Sequence, residues 1–159
     1  MPGSRALKTD IEVIVEVEIG RPVPAVWAFV ADVERTSDWI EEFQGARTES
    51  EGPVGLGTIV RYELGGNRSG TYELVEWDPP RKMAWDGPPL SVTGGAARPR
   101  GSHEFLDLGA ERTLLTTRYR PELIGLVVLM RAYLKRWLRR QRLKDAEKLK
   151  SLLEAQRSG

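Results

Sequence analysis

The chain has 159 residues, 40% of them hydrophobic, which is the size of one compact domain able to bury a core without covalent staples. Its 24 basic and 23 acidic side chains leave a net charge of +1, so no whole-molecule field draws in nucleic acid, and the absence of cysteine excludes disulfides and thiolate metal sites. No apolar run approaches the roughly 20 residues of a membrane-spanning helix, and the N-terminus lacks the apolar stretch of a signal peptide, so a cytoplasmic location is the expectation.

Residues 1–9 are small and polar without periodicity and read as a disordered tail before a domain over 10–156. Over residues 11–19 the odd positions are aliphatic while Glu12, Glu16 and Glu18 fall between them, the period of a half-buried strand. Pro22 and Pro24 then open a short helix, because the N–H that proline lacks has no intrahelical partner in a first turn. Thr36-Ser37-Asp38 ahead of Trp39-Ile40 predicts a second short helix. Residues 57–64 and 70–77 alternate on either side of Gly65-Gly66-Asn67 and predict a hairpin. Asp78-Pro79-Pro80 ends its second strand, since proline cannot donate to a ladder, and residues 81–85 begin another. Residues 87–99, rich in Gly, Pro and Ala, read as a mobile loop. Two more strands, 101–108 and 112–120, meet at Gly109-Ala110.

From Glu122 onward, Leu123, Leu126, Met130, Tyr133, Leu134 and Trp137 recur at helical spacing and predict one long amphipathic helix. Met130, Leu134 and Trp137 are expected to pack it on the sheet. Beyond Gln141 the stripe loses phase at Lys144 and Lys148, which predicts shallower packing of the last turns. The other face carries Arg131, Lys135, Arg136, Arg139, Arg140 and Arg142, which read as a solvated face. The whole is an α+β domain: a curved antiparallel sheet of six to seven strands around a long C-terminal helix, with two short helices after the first strand.

Several local features sharpen this. Pro24-Ala25-Val26-Trp27 opens the first helix, Trp39 follows Asp32-Val33, and Val54-Gly55 with Gly57 precedes a strand. Glu76-Trp77-Asp78-Pro79-Pro80-Arg81 makes a turn, and Leu149-Lys150-Ser151-Leu152-Leu153 lies near the end of the helix. Together they resemble the START-like superfamily with its helix-grip fold (SRPBCC), in its polyketide cyclase/dehydrase and lipid transport branch, over residues 10–154. The resemblance implies a deep pocket between sheet and helix, used in the family for lipids, sterols, polyketides and plant hormones, by enzymes and carriers alike.

The candidate lining is Trp39, Phe43, Tyr62, Tyr72, Leu74, Met83, Trp85, Tyr119, Met130, Tyr133, Leu134 and Trp137. Plain core packing is the competing reading for each, but five tryptophans in one small domain favour a lined pocket. Trp27, inside the first helix, reads as core. His103 is the sole histidine, and its strand phase is open: Leu106 and Leu108 favour one inward face, Phe105 the other. Facing inward it would suit proton transfer; the commoner role of such a histidine is on the surface or in a satisfied strand. Tyr62 and Glu76, the latter in phase with Tyr72 and Leu74, are the other proton-transfer candidates. Gly52-Pro53-Val54-Gly55-Leu56-Gly57 lacks the Gly-Lys-Ser/Thr ending of a phosphate loop and reads as a turn. No metal and no cofactor are expected. The leading reading is a binder of a small hydrophobic molecule, followed by a polyketide aromatase/cyclase or dehydratase, and then by a lipid carrier touching membranes with its basic helix.

Overall fold

The computed structural model describes residues 7–157. In chain order it holds β1 (Lys8–Asp10), β2 (Val13–Ile19), α1 (Val23–Ala31), a 3-10 turn (Val33–Arg35) and α2 (Thr36–Trp39). There follow β3 (Gly45–Thr48), β4 (Ile59–Leu64), β5 (Arg68–Asp78), β6 (Lys82–Asp86), β7 (Leu90–Val92), β8 (Gly95–Arg98), β9 (Arg100–Gly109), β10 (Arg112–Tyr119) and β11 (Glu122–Gly125). A 3-10 segment (Leu126–Met130) leads into α3 (Arg131–Arg157). The expected α+β helix-grip architecture is present, with both short helices in place.

Seven strands form the main antiparallel sheet in the order β2-β10-β9-β6-β5-β4-β3. In β2 every second residue from Val13 to Ile19 is buried and Ile14, Glu16 and Glu18 are exposed, so alternation alone sets which face is inside. The hairpin between β4 and β5 and the break at Pro79-Pro80 fall where turn chemistry puts them. Trp27 is half-buried at the margin of the core rather than inside it, packing edge-on against Trp77 and Phe105 with ring centroids 5.0 and 5.1 Å away.

A second antiparallel sheet, β1-β11-β8-β7, corrects three expectations. Residues 87–99 are not an irregular loop: they form the β7–β8 hairpin. Leu7, Lys8 and Thr9 are not tail: the Leu7 carbonyl accepts from the Gly125 amide at 2.8 Å, and Lys8 and Thr9 pair with Ile124 and Leu123 on β11; the rest of the expected tail, residues 1–6, lies outside the described residues. Residues 122–130 are not the start of the long helix. Gly125, at φ +93°, faces Gly95 across the β8–β11 ladder, and a Cβ on Gly95 would sit 2.0 Å from the Ile124 carbonyl oxygen. Two glycines thus allow a close backbone approach that the helical spacing of the neighbouring leucines conceals. The short strand β3 was also not anticipated.

The packing of α3 is the reverse of the expectation. Leu149 and Leu153 are fully buried, with Leu138 and Ala146, while Tyr133 and Trp137 are exposed. Its C-terminal half is laid on β2 and clamped by polar contacts: Lys150 Nζ donates to the Glu18 carbonyl at 2.6 Å, Arg21 Nη1 to the Leu153 carbonyl at 2.9 Å, and the Gly20 amide to Glu154 Oε2 at 2.8 Å. The first turns instead divide between the cavity, which Leu134 and Trp137 line, and solvent, which Tyr133 faces.

Candidate functional site

Between the main sheet, the β7–β8 hairpin, α2 and the start of α3 lies a cavity of about 600 Å³. Its wall is a succession of rings. Phe43 stacks on Tyr62 at 5.0 Å between centroids, Tyr62 on Tyr72 at 6.0 Å, and Trp85 follows at 6.5 Å from Tyr72 and 5.9 Å from Tyr119. The rings alternate in from β4, β5, β6 and β10, one per strand, because each occupies the inward parity of its strand. Leu74, Met83 and Trp39 complete this side, and Met130, Leu134 and Trp137 close the other from α3 and the turn before it.

Of the candidate lining residues only Tyr133 lies off the cavity; it points to solvent. Glu76 is also elsewhere. A β-bulge between Leu74 and Glu76 inserts one residue, reverses the parity, and leaves the Glu76 carboxylate paired with Lys82 Nζ at 3.0 Å. His103 faces inward with Gly101 and Phe105, while Leu106 is exposed, so the surface reading of this histidine is overturned. Its Nδ1 lies 2.8 Å from the Thr117 hydroxyl, and the Trp85 ring is 4.9 Å away. Burial alone pushes its pKa down to about 3, so the imidazole is neutral. Burial likewise raises the phenols of Tyr62, Tyr72 and Tyr119, all of which stay protonated near neutral pH.

Arg142 departs most from expectation. It is not on the solvated face: its guanidinium lies 5.0 Å over the Tyr119 ring, pairs with Glu42, and donates to Asp145 Oδ2 at 2.7 Å. Burial works against its charge, but Glu42, Tyr119 and Asp145 outweigh it and the pKa is raised. Asp145 in turn accepts from the Glu41 amide at 3.2 Å, tying α3 to the segment after α2. The charged group at this end of the cavity is therefore internally neutralised. Arg98, also in the lining, binds Asp86 through Nε at 2.9 Å and Nη2 at 2.6 Å, a bidentate and more exposed pair.

Sequence reasoning missed Arg142 and the cover formed by Leu90, Val92 and Ala97 on β7 and β8. The alternation of Leu90 and Val92 was a signal, but a strand of three residues shows barely one period.

A model of the family described as polyketide cyclase / dehydrase and lipid transport matches residues 10–154. Among solved structures the chain is similar to the Zhui aromatase/cyclase from Streptomyces sp. R1128, at 20% identity and TM-score 0.74 over 92% of this chain and 94% of that one. It is also similar to a START superfamily protein from Mycobacterium smegmatis, at 15% identity and TM-score 0.70 over 91% and 97%. A third is the di-domain ARO/CYC StfQ from the steffimycin biosynthetic pathway, at 14% and 0.73 over 94% of this chain and 53% of that one. At these identities the likeness is one of fold. No significant match was found among curated proteins.

Proposed function

Because the chain belongs to the polyketide cyclase / dehydrase and lipid transport family, we propose that it takes a hydrophobic, ring-bearing small molecule into the cavity between sheet and α3. The observation that carries this reading is the unbroken row Phe43, Tyr62, Tyr72, Trp85 and Tyr119 along one wall. A wall so rich in aromatic side chains favours a ring-bearing ligand over a flexible acyl chain, since aromatic pairs add to area burial. The volume is in the range used by drug-sized ligands.

Titration with a hydroxyanthraquinone, a sterol and a long-chain fatty acid, followed by tryptophan fluorescence, tests the proposal. Saturable quenching is expected, strongest for the anthraquinone, and weakened about tenfold by Trp85→Leu, the equivalent of about 1.4 kcal/mol. Absence of saturable change with every compound would defeat it.

A cyclase or dehydratase reading comes second, favoured by the inward position of His103. Its basicity weighs against it: a group whose conjugate acid has a pKa of about 3 is poorly matched to proton abstraction near neutral pH. Turnover of a cyclisable polyketide by the parent, lost in His103→Gln with folding intact, would reverse the order of the two readings.

A further inference from the structure

The turn before α3 and its first two turns carry an exposed apolar surface that only Met130 and Trp137 share with the cavity wall. Leu126, Leu129 and Tyr133 are 69%, 70% and 63% exposed, and Met130 and Trp137 beside them are open as well. On a helix, residues 130, 133 and 137 share one stripe, and Arg136 and Arg140 run along its edge, three and seven positions from Tyr133. Five large apolar side chains in one place exceed the scattered exposure of an ordinary soluble surface.

Charge gives this patch its character. Between Glu122 and Asp145 there is no acidic residue, while Arg131, Lys135, Arg136, Arg139, Arg140, Arg142 and Lys144 are all basic, in a chain whose net charge is only +1. Arg142 is consumed by its buried pairs. Lys135, Arg136, Arg139 and Arg140 are exposed and make no ion pair among the described residues. A surface that keeps Arg136 and Arg140 unneutralised beside exposed Leu, Met, Tyr and Trp, with Lys135 and Arg139 further round the same helix, is matched to a partner that is anionic outside and apolar just beneath.

We propose that this face docks on an anionic lipid bilayer, with Leu126, Leu129 and Tyr133 in the headgroup layer and Arg136 and Arg140 on lipid phosphates. A second copy of the chain is a poor occupant, because a symmetric contact would press one cation cluster against its twin. An acidic protein answers the cations but not the apolar stripe. Met130 and Trp137 belong both to this face and to the cavity wall, so docking sets the mouth of the cavity against the membrane. The proposal does not depend on which molecule fills the cavity.

Flotation of the full chain with vesicles of phosphatidylcholine alone, and of phosphatidylcholine mixed with phosphatidylglycerol, tests this. Binding is expected on the mixed vesicles and about tenfold or more weaker on the neutral ones, fading as salt is raised. Arg136→Glu with Arg140→Glu should reduce it at least about tenfold, and Leu129→Ser should weaken it with the melting temperature unchanged; none of these residues lines the cavity. Equal binding to both vesicles, binding to neither, or charge-reversed protein that binds like the parent would overturn the proposal. So would a parent that sediments as a dimer dispersed by Leu129→Ser, which would give the face to a second copy. Tight binding to poly-glutamate, indifferent to Leu129→Ser, with none to vesicles, would give it to an acidic protein.

Discussion

The Nδ1 of His103 and the hydroxyl of Thr117 lie 2.8 Å apart, directly opposite each other on β9 and β10 and both buried. The pair gives the imidazole one neutral hydrogen bond and no counter-charge. That arrangement stabilises the uncharged ring and resists its protonation.

The consequence is a pH dependence of stability with a definite sign. The folded-state pKa, about 3, lies below the ordinary value of 6.5, so as pH falls the unfolded chain takes up the proton first. The stabilisation is complete above pH 6.5 and is lost progressively as pH drops toward the folded value. Between pH 6.5 and 5, before most carboxylates titrate, the loss should reach about 1–2 kcal/mol. Urea denaturation across that window should show this slope in the parent and a flat profile in His103→Gln. The same slope in both would assign the titration to another group.

The two halves of α3 should respond differently to truncation of their side chains. Leu149→Ala and Leu153→Ala each remove a fully buried side chain packed over β2 and should cost about 2–5 kcal/mol. Trp137→Ala, at a half-open cavity wall, should cost under about 1.5 kcal/mol while weakening ligand binding. Thermal melts of the three variants decide; a Trp137 variant less stable than Leu149→Ala would contradict the observed packing.

Gly101 sits where no side chain fits. A Cβ there would lie 2.4 Å from Trp85 Cζ2 and 2.6 Å from the Arg118 carbonyl oxygen, and the backbone of β10 cannot yield as a flexible side chain would. Gly101→Ala should destabilise the fold by about 1–3 kcal/mol and displace the Trp85 ring into the cavity. A wild-type melting curve together with unchanged tryptophan emission would show that the ladder has more slack than this geometry allows.

Arg142→Ala leaves Asp145 buried without its guanidinium partner and strips the cation from the Tyr119 face. Loss of one member of a buried pair is costly, about 3 kcal/mol here. Arg142→Met, which keeps the packing stem, should suffer less at acid pH, where Asp145 can accept a proton. Burial already raises the Asp145 carboxyl, with Arg142 opposing the shift, so removing the cation should raise it further. A variant as stable as the parent at neutral pH would mean that the pair contributes nothing net.

What the sequence determined by itself was whatever one element states locally. Alternation over seven residues names the inner face of β2, and proline at Pro24 and at Pro79-Pro80 marks a helix start and a strand end, because each is a property of a few consecutive backbone units. The row of aromatic residues was legible for the same reason: Tyr62, Tyr72 and Tyr119 keep the inward parity of their strands. Tertiary structure alone decided the rest. One inserted residue at the β5 bulge turned Glu76 away from the cavity, and the ladder against Thr117 chose the inward side for His103, where the surrounding sequence fitted both. The meeting of Gly95 and Gly125 converted a helical spacing into strand β11. Arg142 became an interior residue only because Glu42 and Asp145 reach it, the former across 100 positions of chain. These outcomes depend on contacts between distant segments, whose free energies outweigh the small local preferences that a periodicity records.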